Sequence, residues 1–168
     1  AFIAAVVVNV TVWKPSSQAA LTAIAVVRVA NQVLEQLGHP PIFFLVVGSG
    51  RVVGDRMLED RRLPLVSFTG SVATGRLVAE KVASRLGRSL LELGGNNAAV
   101  VTAKADMRTA VRGVAFGALA TTGQRCTSTR RLIAQEGIYR DLVDRLAAVY
   151  RSVRVGNPLE PGVLVGPL

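Results

Sequence analysis

One thiol and one carboxylate stand out by their surroundings. Cys126 follows Gly123-Gln124-Arg125, and Glu92 interrupts the apolar run Leu90-Leu91-Glu92-Leu93. An ionised thiol is a nucleophile, and a positive neighbour such as Arg125 or a nearby helix end favours that form. The commoner fate of a lone cysteine is a small buried hydrophobe. An acid among apolar residues is costly to bury unless it is paired, which makes Glu92 a candidate general base. It reads equally as a strand-end carboxylate facing water. Gly70-Ser71 precedes an apolar-periodic stretch, and free amides at a helix start favour an anion such as a pyrophosphate. Gly50 and Gly54, four apart at another helix start, share a face that a flat group could approach; they also read as a turn glycine and a close helix contact. His39, within Gly38-His39-Pro40-Pro41, reads as a solvated turn residue.

These residues fall between alternating strands and helices. The β-branched run Val10 to Trp13 ends at Lys14-Pro15, where proline stops pairing. Ser16 or Ser17 can cap a helix over 18–37, in which Leu21, Ile24, Val27, Leu34 and Leu37 stand near helical spacing. The apolar run Ile42 to Val47 has the pattern of a strand buried on both faces. The pattern continues with a short helix over 52–59, a strand over 65–68 and a helix over 72–86. Strands over 89–93 and 98–101, a helix over 107–120, a strand over 132–134 and a helix over 139–153 complete it. The tail from Gly156 to Leu168 reads as loop. Such alternation predicts a parallel sheet with helices on both faces, and ligands at the carboxyl ends of its strands. The turns after Trp13, Val47, Phe68 and Leu93 are therefore the ones to watch.

Composition excludes several classes. Half of the 168 residues are hydrophobic, enough to offset chain entropy, and one cysteine cannot make an internal disulfide. A lone thiol suits a reducing, cytoplasmic setting. The apolar stretch Ala1 to Trp13 is shorter than the roughly 20 residues a spanning helix needs, so no membrane role is expected. The net charge of +9 raises nucleic acid as a partner. Scattered arginines and few interleaved aromatics argue against it.

Four motifs occur in order: Trp13-Lys14-Pro15-Ser16, Ser67-Phe68-Thr69-Gly70-Ser71, Leu91-Glu92-Leu93-Gly94-Gly95-Asn96-Asn97 and Gly123-Gln124-Arg125-Cys126. Together they resemble the aldehyde dehydrogenase superfamily. The Gly-Gly-Asn-Asn segment and the run Gly123 to Leu132 are most similar to the antiquitin branch, the α-aminoadipic semialdehyde (piperideine-6-carboxylate) dehydrogenases. The resemblance implies an α/β fold with a parallel Rossmann-type sheet: a dinucleotide-binding region over 1–92 and the start of a catalytic domain over 93–168. It implies NAD(P)-dependent oxidation of an aldehyde to a carboxylate through a cysteine thiohemiacetal and thioester. Cys126 is then the nucleophile and Glu92 the base. Lys14, Ser16, Ser17, Gly50, Gly54, Phe68, Thr69, Gly70, Ser71 and Leu93 fall at dinucleotide-binding positions, and the Cys126 amide is half of an oxyanion hole. The absence of a Gly-x-Gly-x-x-Gly fingerprint speaks against an ordinary Rossmann enzyme but not against this family. Many NAD-preferring relatives carry a glutamate where Ser17 stands; a serine can donate to a 2′-phosphate, so NADP is expected to be tolerated.

Val8 departs from the family, which usually has a glycine before Asn9. The chain begins within an apolar segment and stops in a Gly/Pro turn, so a fragment of a longer enzyme is expected, and the resemblance implies that the parent is a homo-oligomer. The fragment alone is expected to be inactive. The alternatives are another branch, acting on succinic semialdehyde or betaine aldehyde, and a truncated remnant with a binding or structural role.

Overall fold

The computed structural model describes residues 2–7 and 9–168; Val8, the departure noted above, lies outside the described residues. The chain divides into two compact units, Ala1–Thr69 with Ala73–Glu92, and Gly70–Val72 with Leu93–Leu168.

The first unit opens with α1 (Phe2–Val6) and β1 (Thr11–Trp13). Pro15 is buried behind Lys14, and Ser16 starts the next element: its hydroxyl accepts the Gln18 N–H at 3.3 Å. A single tight turn, Ser17–Ala19, leads into α2 (Ala20–Gln36). Of the two serines, Ser16 is thus the cap. The covered stripe of α2 is Ala23, Val26, Val27, Ala30, Asn31 and Leu34, whereas Leu21, Ile24 and Leu37 are exposed. Small residues and one amide let α2 lie close to β2 (Phe43–Leu45), where Asn31 Nδ2 donates to the Phe43 carbonyl at 2.9 Å. Gly38 (φ +73°) ends α2: its N–H reaches the Glu35 carbonyl and that of His39 the Leu34 carbonyl, a left-handed stop that suits glycine.

β1 and β2 pair in parallel, Thr11 opposite Phe43 and Trp13 opposite Leu45. The expected burial of the 42–47 run on both faces does not hold. Phe43 is buried and Phe44 is 46% exposed, because among the described residues only one face of this ladder is covered. The Ser49 hydroxyl then accepts the Val52 N–H, and a wide π-type turn (Gly50–Gly54) runs into α3 (Asp55–Glu59).

β3 (Leu65–Gly70) carries Thr69 and Gly70 inside the strand, two residues beyond the expected end, so α4 (Val72–Ser84) begins after Ser71. β3 pairs with β4 (Arg88–Leu93). Leu58, Val78 and Val82 form the core here, with Val66, Phe68 and Leu91 packed on it. Arg85 donates to the carbonyls of Leu58 and Leu63 at 2.6 and 2.7 Å, and Lys81 pairs with Asp55 at 3.1 Å.

The second unit has its own core. β5 (Ala98–Val101) and β6 (Arg131–Ala134) pair in parallel, Ala98 opposite Arg131. α5 (Met107–Leu119) and α6 (Tyr139–Ser152) cover them through Val111, Val114, Ala115, Leu142 and Leu146, around Val101. Asp106 caps α5 by accepting the Thr109 N–H at 2.8 Å, a bond that holds its carboxyl below the usual carboxylate range. The tail is more than loop: Val155 bridges Val165 in parallel, and the Gly156 N–H donates to the Val165 carbonyl. The α/β expectation therefore holds, with strands pairing two by two among the described residues.

Candidate active site

The second unit folds the Gly123-to-Arg131 segment into a turn with few free torsions. After α5 the chain passes through Thr121 (φ +53°), Thr122 (φ +58°) and Gly123 (φ +65°), three consecutive left-handed residues. β-branched residues rarely adopt this conformation. The Arg125 carbonyl accepts the Ser128 N–H at 3.1 Å, and the Ser128 hydroxyl accepts the Arg125 N–H at 3.1 Å. Ser128 is 1% exposed. Cys126 and Thr127 occupy the two central positions of this turn, and the Cys126 side chain is exposed. Among the described residues no acceptor takes the Cys126 N–H.

Asn97, the residue just before β5, closes the turn. Its Nδ2 donates to the Cys126 carbonyl at 2.6 Å and to the Ser128 carbonyl at 3.0 Å. Its own carbonyl accepts the N–H groups of Arg130 and Arg131 at 2.9 and 3.1 Å. Nothing in sequence reasoning gave Asn97 or Ser128 a role. An amide-bearing residue just after Gly94-Gly95 and just before a strand was the available signal, since such side chains satisfy main-chain groups in turns. Gly117 shapes the same place: its carbonyl accepts the Thr129 N–H at 2.9 Å, and an added Cβ would collide with the Thr129 hydroxyl. The Arg125 guanidinium lies 5.6 Å from the centre of the Phe116 ring, so its charge is engaged there.

In the first unit, Lys14 reaches from the end of β1 into the turn after β2. Its Nζ donates to the Pro15 carbonyl at 2.7 Å and to the Gly48 carbonyl at 3.3 Å. Gly54 faces the same side chain: a Cβ there would lie 3.9 Å from Lys14 Cδ and Cε, whereas one on Gly50 would meet open space. Ser17 is exposed, and with Ser16 serving as cap its hydroxyl is uncommitted among the described residues. Lys14 and Gly54 thus meet at the carboxyl ends of β1 and β2, and Ser17 follows Lys14 by three residues along the chain.

Glu92 is exposed at the end of β4, between half-buried Leu91 and Leu93. The burial cost that drew attention to it is therefore not incurred, because its side chain points to the wet face of the strand. Phe68 packs on the Leu58, Val78 and Val82 core, which leaves mainly its backbone to contact a ligand. Thr69, Gly70 and Ser71 are exposed before α4.

The model of the aldehyde dehydrogenase family matches residues 1–168. The chain is 45% identical over 161 residues to a putative aldehyde dehydrogenase family 7 member A1 homolog of Dictyostelium discoideum, covering 95% of this chain and 32% of that protein. It is 45% identical over 166 residues to the α-aminoadipic semialdehyde dehydrogenase of Mus musculus, covering 99% of this chain and 31% of that one. Among solved structures, an aldehyde dehydrogenase of Brucella melitensis superposes with a TM-score of 0.87 at 34% identity, over 95% of this chain and 32% of the other. The glyceraldehyde-3-phosphate dehydrogenase GapN of Methanocaldococcus jannaschii, solved in complex with NADP, superposes with a TM-score of 0.85 at 33% identity, over 95% and 35% of the two chains. The chain thus spans about a third of the length of the curated relatives it matches. Among the described residues no helix is long and apolar enough to cross a membrane. This chain belongs to the aldehyde dehydrogenase family.

Proposed function

We propose that this chain carries the nucleophile and the dinucleotide-binding elements of an NAD(P)-dependent aldehyde dehydrogenase. Its favoured substrate is a semialdehyde such as α-aminoadipic semialdehyde. The observation that carries the reading is Cys126: an exposed thiol at the centre of a pinned turn, with its own amide N–H uncommitted.

Cys126 Sγ attacks the aldehyde carbon, and a C–S bond forms while the carbonyl oxygen takes negative charge. The Arg125 carbonyl is turned inward to Ser128, so the planar trans peptide directs the Cys126 N–H outward, where it donates to that oxygen. A dinucleotide held by the elements named below would supply a hydride acceptor, the chemistry by which the adduct on Sγ would reach the thioester level. Glu92 then takes a proton from water, the resulting hydroxide adds to the thioester carbon, and the C–S bond breaks to release carboxylate and thiol.

The residues present fit a dinucleotide. Gly50 leaves open space and Gly54 keeps the Lys14 side uncrowded, which suits a flat ring and its ribose. Lys14 and the Ser16-Ser17 pair would hold the ribose; the backbone around Phe68 to Ser71, together with Leu93, would hold the remainder. The uncommitted Ser17 hydroxyl supports acceptance of NADP beside NAD. The 1–92 and 93–168 domain assignment, a homo-oligomeric parent and a cytoplasmic setting complete the reading, supported by family membership and an unpaired thiol.

The test is aldehyde-dependent formation of NADH and NADPH, with α-aminoadipic semialdehyde, succinic semialdehyde and betaine aldehyde, by a full-length enzyme that carries this segment; the 168-residue chain by itself is expected to turn over no aldehyde. The reading expects both dinucleotides to be reduced, fastest with α-aminoadipic semialdehyde. A strict NAD requirement would remove the Ser17 argument, and no reduction with any aldehyde would remove the activity.

A further inference from the structure

We propose that Asn97 is a positioning residue for the nucleophile: its side-chain amide fixes the peptide plane that follows Cys126 and so, together with Ser128, sets the direction of the Cα–Cβ bond that carries Sγ relative to the Cys126 N–H. The inference rests on the aldehyde-oxidation reading for its kinetic consequence, though not for its geometry.

The peptide planes on either side of Cys126 Cα are held by different partners. The Arg125–Cys126 plane is held by Ser128, whose N–H donates to the Arg125 carbonyl and whose buried hydroxyl takes the Arg125 N–H. The Cys126–Thr127 plane is held by Asn97 Nδ2 at 2.6 Å from the Cys126 carbonyl. With both planes fixed, the φ and ψ of Cys126 are fixed, because a residue has only those two soft torsions. The Cα–Cβ bond and the N–H bond of Cys126 then keep one mutual orientation, the one in which sulfur attacks and the amide receives the charge that develops. Release of the second plane lets ψ of Cys126 vary, and φ adjusts with it.

Asn97 is itself well anchored. It immediately precedes β5, and its carbonyl takes two N–H groups at the head of the β5–β6 ladder. Both of its amide protons have acceptors, the carbonyls of Cys126 and Ser128, so the amide cannot rotate without losing one bond. A hydroxyl at this position could donate only once, and a carboxylate could not donate at all.

That difference gives the experiment its sign. Asn97→Asp keeps the shape but sets oxygen against two carbonyl oxygens; Asn97→Ala removes the contact. A packing role makes the alanine variant the worse of the two, whereas a donor role makes the aspartate variant the worse. The readouts are the iodoacetamide labelling rate of Cys126 between pH 6 and 10, the melting temperature, and the steady-state constants of a full-length enzyme carrying this segment. The proposal expects kcat to fall about 10- to 100-fold, the cost of a misplaced reacting atom. It expects the KM for dinucleotide to hold within about twofold, labelling to change most in Asn97→Asp, and the order Asp worse than Ala in both readouts.

Unchanged labelling and kcat in Asn97→Asp, or Ala worse than Asp throughout, would overturn it. Should neither variant fold, hydrogen exchange of the Asn97 side-chain amide in the unaltered protein decides: protection well beyond that of Asn96 supports the clamp, and free exchange defeats it. Labelling and exchange need no turnover, so absence of aldehyde oxidation in the unaltered protein would remove the functional reading while leaving the clamp separately testable.

Discussion

The Lys14 corner and the Cys126 turn are both built from main-chain carbonyls, yet they hold them in opposite ways. At the corner, a long flexible side chain reaches out to carbonyls of Pro15 and Gly48, and glycine leaves space beside it. At the turn, short side chains from Asn97 and Ser128 reach in, and three left-handed residues lead into the turn. A lysine amine can trade one oxygen for another with little loss, so the corner has the slack that the proposed dinucleotide site would use. The turn has no such slack. Binding functions tolerate adjustment, whereas a reacting atom does not, and the two regions differ in that sense.

The comparison is broken most severely by Cys126→Ser, which is expected to lower turnover about a thousandfold or more while dinucleotide affinity, measured by fluorescence titration, stays put. Gly117→Ala comes next. The new Cβ meets the Thr129 hydroxyl and strains the bond between the Thr129 N–H and the Gly117 carbonyl, at a cost of about 1–3 kcal/mol in chemical denaturation. The corner responds more mildly: Ser17→Glu places a carboxylate where a 2′-phosphate would lie, and a shift of about tenfold in kcat/KM from NADP toward NAD is expected. The smallest effect sharpens the contrast from the other side. Thr122→Asn puts a residue that accepts the left-handed region at φ +58°, and should raise stability by up to about 1 kcal/mol, read from the melting temperature, with kinetics unchanged.

Elements governed by local pattern were legible in the residues. β5 runs over 98–101 as expected, and α5 and α6 start at Met107 and Tyr139, because turn residues and apolar periodicity mark those boundaries. The stripe on α2 was misjudged for a packing reason: Leu21 and Leu37 fit the period, but close approach to β2 selected Ala23, Ala30 and Asn31. β2 was read as doubly buried because an apolar run reports what a strand could bury, not what covers it. The motifs drew attention to Cys126 and Lys14, which occupy an exposed turn and a carbonyl-lined turn respectively. Asn97 was not legible, since its significance lies in a bond to a residue 29 positions away that no local pattern encodes. Glu92 drew attention through a burial cost that its exposed position does not carry.

The central claim is that Cys126 sulfur bonds to the aldehyde carbon before hydride departs. The most direct measurement is mass spectrometry of a full-length enzyme carrying this segment, quenched during reaction with α-aminoadipic semialdehyde and NAD, followed by peptide mapping. The account predicts an acyl mass on the peptide bearing Cys126, formed only when dinucleotide is present and absent in Cys126→Ser. Steady NADH production with an unmodified Cys126 peptide throughout, or undiminished turnover by Cys126→Ser, would contradict it.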